Sequence, residues 1–119
     1  MGVIGCDLDG TLAHYDHWRG LDHIGKPIEK MVDHVKKAIR DGNEVRIFTA
    51  RANEKGVQDD ATVLPIRRWL KEVGLPEDLT ITNIKGFDID EFWDDRARQV
   101  MLDKGEFLEE FMAEDSQIW

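Results

Sequence analysis

The sequence predicts an α/β domain built on a mostly parallel sheet with helices on its faces. Three observations predict it. Short apolar runs alternate with longer amphipathic stretches along the 119 residues, the pattern of strands joined by helical crossovers. Glycine and proline punctuate the boundaries. Polar residues of catalytic type follow the apolar runs at once, as they do where ligands bind outside the carboxyl ends of parallel strands.

Val3 to Leu8 is an apolar run closing in Asp7-Leu8-Asp9-Gly10, and it reads as a buried strand stopped by a turn. Ala13 to Lys26 has no clean period and reads as a loop with room for a small hairpin. Pro27 suits the first turn of a helix, and Ile28, Met31, Val32, Val35 and Ile39 follow at helical spacing up to Gly42. Glu44 to Phe48 is the second strand, and Arg51 to Asp60 a polar loop. Ile66, Trp69, Leu70 and Val73 mark a second amphipathic helix, ended by Gly74 and Pro76. Leu79 to Thr82 and Glu91 to Trp93 are short strands. A helix is expected from Arg96 to about Leu102, and a last one in the tail from Glu106, which carries Phe107, Leu108, Phe111 and Met112. The sum is a three-layer, Rossmann-like sandwich forming a single domain over 1–119.

Composition sets the outer bounds. Hydrophobic residues are 41% and charged residues 34% of the chain, as in a soluble globular protein. No apolar run spans a bilayer, and the start lacks the basic region of a signal peptide, so a cytoplasmic protein without membrane contact is expected. The single Cys6 allows no internal disulfide, and its apolar neighbours make it a packing residue. A formal net charge of −9 opposes broad binding to nucleic-acid phosphates. It is also how a metal site registers in composition when its cation is not counted.

The polar residues at the strand ends supply what phosphoryl transfer to a carboxylate requires. Asp7 ends a buried strand as a nucleophile, Asp9 stands two residues on, and Gly10 permits a tight turn. Thr49 offers a hydroxyl to a phosphate oxygen, and Lys85 a compact positive charge. Asp94 and Asp95 follow Phe92-Trp93 and complete a site for a hard cation such as magnesium.

These residues carry a resemblance. Asp7-Leu8-Asp9-Gly10-Thr11-Leu12 resembles the first motif of the haloacid dehalogenase superfamily. Ile47-Phe48-Thr49-Ala50-Arg51 resembles its second motif, Lys85 its third, and Trp93-Asp94-Asp95-Arg96-Ala97 its fourth. The four stand in the family's order across Val3 to Met101. The resemblance implies a magnesium-dependent phosphatase working through an aspartyl-phosphate. Asp7 is then nucleophile and metal ligand, while Asp9 is general acid/base and offers the metal its carbonyl. Thr49 and Lys85 hold the phosphate. Asp94 then binds the metal directly and Asp95 assists through water or hydrogen bonds, the reversed pair being the alternative. Gly10, Ala50 and Arg51 are the expected substrate contacts, with the acidic rim as the other reading of Arg51. The family lysine is often followed by proline, whereas Gly86 follows Lys85 here, with too little chain before Asp94 for a full helix.

Other readings of the same residues are weaker. A calcium loop counted from Asp7 needs glutamate at its twelfth position, where Trp18 stands. Asp59-Asp60 and Glu109-Glu110 read as solvated faces, His14 and His17 as loop residues, and Arg96 and Arg98 as salt-bridge partners. Tyr15 and Trp18 either stack on a base or sugar or cover the core. Neither interval between motifs leaves room for a cap domain, so the site is open to large phosphates or closed by a second copy in a homo-oligomer. The Asp-Asp-Arg-Ala run with Gln99-Val100 also resembles the 3′-phosphatase domain of polynucleotide kinases. That favours a nucleotide or a nucleic-acid 3′-end as the phosphorylated partner, with sugar phosphates as the alternative. A non-catalytic binding module on the same fold is the rival of another class.

Overall fold

The computed structural model describes residues 2–52, 61–110 and 112. In chain order it contains β1 (Val3–Cys6), α1 (Glu29–Arg40), β2 (Glu44–Phe48), α2 (Leu64–Val73), β3 (Ile81–Thr82) and β4 (Glu91–Trp93). The strands form one sheet in the order β3-β2-β1-β4, and every pairing is parallel. Cys6 pairs with both Ile47 and Trp93, so the carboxyl ends of the three longer strands lie level. The expected Rossmann-like α/β architecture is present, and no helix among the described residues is long and apolar enough to cross a membrane.

β2 and β4 occupy the expected residues. β1 stops at Cys6, earlier than the apolar run suggests, because the Leu8 carbonyl accepts hydrogen bonds from the N–H groups of Thr11, Leu12 and Ala13. That fan curls 8–13 into a hook, with Leu8, Leu12 and Ala13 buried at 0% exposure. Pro27 lies outside α1. It bridges Ala13 across the loop base, and Ile28 N–H donates to the Leu12 carbonyl at 2.8 Å before the helix begins at Glu29. α2 ends at Gly74 in the left-handed conformation, φ 87°, as its sequence position suggests.

Both crossovers, β1 to β2 and β2 to β3, step the same way across the sheet. Right-handed connections therefore carry α1 and α2 on one face. On that face Ile4, Cys6, Val45, Ile47 and Ile81 meet Val32, Val35, Ile66, Trp69 and Leu70 in a single buried cluster. Burying side chains of this size contributes roughly 1.5–3 kcal/mol each, before chain entropy is set against it.

The other face is covered differently. Gly5, Arg46, Phe48 and Phe92 alternate with the core residues, and the 83–90 connection returns across them. Arg46 holds Asp88 through two hydrogen bonds, of 3.0 and 2.6 Å, and Phe48 meets Phe92 edge-on at 5.3 Å.

One expected helix is absent. Residues 96–102 do not form the helix anticipated there. Instead Val100 bridges Phe107 in an antiparallel pairing, Met101 N–H donates to the Glu106 carbonyl, and Leu108 N–H to that of Gln99. Asp103 and Gly105 turn the chain with φ of 58° and 68°. The physical reason is the lack of a face to bury, since Val100 is 52% and Leu102 85% exposed. The tail is helical over 108–110; the rest of the expected last helix, and Asp59-Asp60, lie outside the described residues apart from 112.

Candidate active site

Asp7 leaves β1 with its N–H donating to the Trp93 carbonyl at 2.9 Å, which fixes it beside the end of β4. Asp94 and Asp95 follow β4 directly. One carboxylate oxygen from each of Asp7, Asp94 and Asp95 lies within 4.8 Å of the others. Parallel pairing of β1 with β4 brings these distant residues together.

Thr11 ties the two motifs. Its hydroxyl donates to Asp95 Oδ1 at 2.9 Å and accepts the Asp95 N–H at 3.0 Å. The sequence reading did not single out this residue. Its signal was a hydroxyl placed directly after the turn glycine, and its partner only becomes evident once β1 and β4 are paired. Gly10 is needed for two reasons, a φ of 89° and a Cβ that would stand 2.8 Å from Asp95 Oδ2. On the other side of the pair, the Arg96 N–H donates to Asp94 Oδ1 at 2.8 Å.

The burial of Asp7 and the closeness of its two neighbours act on its ionisation. Burial pushes the Asp7 carboxyl up to about 7, assisted by the charge of Asp94 and a hydrogen bond with Asp95, against a lowering bond from Leu8. Buried Cys6 is likewise pushed up to about 12, chiefly by burial and then by Asp7 and Asp94, so it is a packing thiol and not a nucleophile.

Asp9 lives in the opposite environment. Arg51 reaches it from the end of β2 and grips both its oxygens with one edge of the guanidinium, Nε to Oδ2 at 2.7 Å and Nη2 to Oδ1 at 2.9 Å. Arg51 is 8% exposed. Its remaining donors go to the carbonyls of Leu21 and His23, with a longer contact to Gly20. All five guanidinium N–H groups thus point at acceptors. Of the two readings of Arg51, contact with the acidic rim is the one seen, and its donors are committed to Asp9 and the 13–26 loop.

Asp7, Asp9, Gly10, Thr49, Ala50 and Arg51 line one cleft of about 510 Å³, together with Asp95. Thr49 is buried, and its hydroxyl accepts the Arg51 N–H at 3.2 Å. Tyr15, Trp18 and Arg96 complete the walls. Tyr15 and Trp18 are 49% and 54% exposed, so they do not cover the core. Among the described residues Arg98, not Arg96, takes the salt bridges, to Glu109 and Glu110.

Lys85 does not join this group. It is exposed, with its ammonium 5.3 Å above the Phe92 ring on the sheet face opposite the helices. The cause is the short 83–90 connection, which runs across that face without forming a helix that would point the lysine at the strand ends.

Fold and cleft together define a Rossmann-like α/β protein with an acidic site at the carboxyl ends of its strands. A conserved protein from Bacteroides thetaiotaomicron has a similar structure, with a TM-score of 0.59 and 20% identity, covering 80% of this chain and 76% of that one. At that identity the likeness speaks for the fold alone. No protein family and no curated protein matches the chain.

Proposed function

We propose that this protein is a magnesium-dependent phosphomonoester hydrolase of the haloacid dehalogenase type, acting in the cytoplasm on a nucleotide or a nucleic-acid 3′-end phosphate. The observation that carries the reading is the carboxylate triplet at the joined ends of β1 and β4, of which Asp7 and Asp95 line a cleft that also holds Thr49. An all-oxygen donor set suits a hard cation. Asp7, Asp94 and Asp95 would hold magnesium, with the Asp9 carbonyl as a further donor. When bound, the ion neutralises the repulsion between carboxylate and phosphate.

The chain's own residues account for the rest. An Asp7 oxygen attacks phosphorus, the bond to the leaving oxygen breaks, and Asp9 supplies that oxygen with a proton. Asp9 then takes a proton from water, whose oxygen attacks phosphorus and frees Asp7 and inorganic phosphate. The Thr49 hydroxyl donates to the transferred oxygens. Arg96, which lines the cleft, supplies the positive charge that the resemblance assigned to Lys85.

One observation favours a second reading, a binding module without catalysis. Both Asp9 oxygens accept hydrogen bonds from Arg51, so Asp9 must leave that fork to reach a leaving group. Phosphate release from an aryl phosphate separates the two. The hydrolase reading expects turnover with magnesium, none with chelator, and a loss of at least about 1,000-fold in Asp7→Asn. Absence of turnover on aryl, nucleotide and sugar phosphates alike, at saturating magnesium, would leave the binding module.

A further inference from the structure

The cleft has a charged floor and an aromatic wall, and the wall is tied to the body of the fold. Tyr15 and Trp18 belong to the 13–26 loop, whose length and polarity would ordinarily leave it loose. Here it is tied along its length. The His14 N–H donates to the Lys26 carbonyl at 2.8 Å, and Ala13 bridges Pro27. Arg51 holds the carbonyls of Leu21 and His23, and the buried Trp69 indole N–H holds that of Gly25 at 2.9 Å. Gly25 is required for this closure, because a Cβ there would lie 2.0 Å from the His14 carbonyl oxygen.

Trp18 is fixed further by the Arg51 guanidinium, 4.8 Å from its ring centre. Arg51 is therefore one element with two tasks, setting Asp9 on the floor and the indole on the wall. The ring remains 54% exposed and turned to the cleft. A large aromatic surface held open to water beside a phosphate-sized acidic and hydroxyl floor is complementary to a planar ring. An aliphatic phosphate would leave that surface wet.

We infer that the substrate is a phosphate ester whose leaving group carries a planar aromatic ring, a nucleobase being the natural form, stacked on Trp18 and Tyr15 while its phosphate lies at Asp7. This rests on the phosphatase reading for the position of the phosphate. Arg51 acts as a positioning residue, since its donors are occupied by the protein. A net charge of −9 favours a ligand with few phosphates over a long polyanion.

The test is equilibrium binding with magnesium, by calorimetry and by quenching of tryptophan emission, on the wild type and on Asp7→Asn. The probes are a nucleoside 3′-monophosphate, a short 3′-phosphorylated oligonucleotide and glycerol phosphate. The nucleoside phosphate is expected to bind about 10-fold or more tighter than glycerol phosphate. Trp18→Ala collapses that ratio towards one, Trp18→Phe restores most of it, and quenching is weakened in both. The two ring-bearing probes binding alike would place the recognition in one nucleotide; a large gain for the oligonucleotide would overturn the few-phosphate preference. Equal affinity for nucleoside and glycerol phosphates, or a ratio indifferent to Trp18→Ala, overturns the proposal. Because binding is read apart from turnover, ring-selective binding without hydrolysis would sink only the phosphatase reading. Hydrolysis without ring selectivity would sink only the stacking.

Discussion

Asp7 and Asp9 are two residues apart and face one cleft, yet their surroundings are opposite. Asp7 stands with Asp94 and Asp95, and no cation of the described residues pairs with it; burial first, and then the charge of Asp94, pushes its carboxyl up to about 7. Asp9 has a cation built in, the nearly buried Arg51 held on both oxygens. The difference shows how one turn can present two carboxyls of unlike character. The corner that lacks a cation is the place to add one, and the corner that owns one is already mechanical structure. Arg51 joins Asp9 to the carbonyls of the 13–26 loop, so it fixes a wall as well as a charge.

The largest expected effect breaks the second corner. Arg51→Ala leaves the Asp9 carboxylate partly buried without its partner and releases the loop. We expect a loss of about 3 kcal/mol in urea unfolding, at the lower end for a broken buried pair because Asp9 retains some contact with water. Hydrogen exchange in 13–26 should accelerate with it. Asp9→Asn, which keeps part of the hydrogen bonding, should cost clearly less. A cost for Arg51→Ala within about 0.5 kcal/mol, the range of an ordinary surface change, would show that the clamp is incidental.

The first corner is tested by pH. The Asp7 carboxyl is raised from 3.8 to about 7 in the folded protein, so the folded state holds its proton more tightly than the unfolded chain. The stabilisation is therefore full below pH 3.8 and is lost as pH rises through about 7. Without magnesium, the stability of the wild type relative to Asp7→Asn should fall by about 2 kcal/mol between pH 4 and pH 8, allowing for water at the cleft mouth. Saturating magnesium should remove the fall, because the ion rewards the ionised form. A difference that stays flat with pH in chelator would mean that neither burial nor the neighbouring carboxylates raise Asp7.

The same contrast explains what was legible in the sequence. The strands were, because Glu44–Phe48 and Glu91–Trp93 are apolar runs between clear punctuation, and the carboxylates at their ends followed from parallel pairing. Hydrogen bonds between residues far apart were not. Nothing in the order of residues says that Thr11 meets Asp95, or that Arg51 spends every donor inside the protein. The helix expected over 96–102 failed because the fold offered no surface to bury its apolar residues, Val100 and Leu102 being exposed. The approach of Lys85 to the cleft rested on its place just past a strand and on the resemblance. The 83–90 connection is short and carries Gly86 and Asp88, and Asp88 is drawn to Arg46 on the far face of the sheet.

That displacement gives the smallest and most discriminating prediction. Arg96 lines the cleft beside Asp95, whereas Lys85 stands over Phe92. An exposed cation facing a phosphate contributes about 1 kcal/mol, so Arg96→Ala should raise KM about 5-fold with kcat little changed. Lys85→Ala loses only an exposed contact between its ammonium and a ring, and should alter kcat/KM by less than about 3-fold. The order of the two variants matters more than either value. If Lys85→Ala proves the costlier by 10-fold or more, the 83–90 connection must shift when phosphate binds, carrying the ammonium from Phe92 round the end of β2 to the cleft. Substituting Asp88→Ala would then free that connection from Arg46 and lower KM, whereas with Lys85 idle it would leave KM where it was.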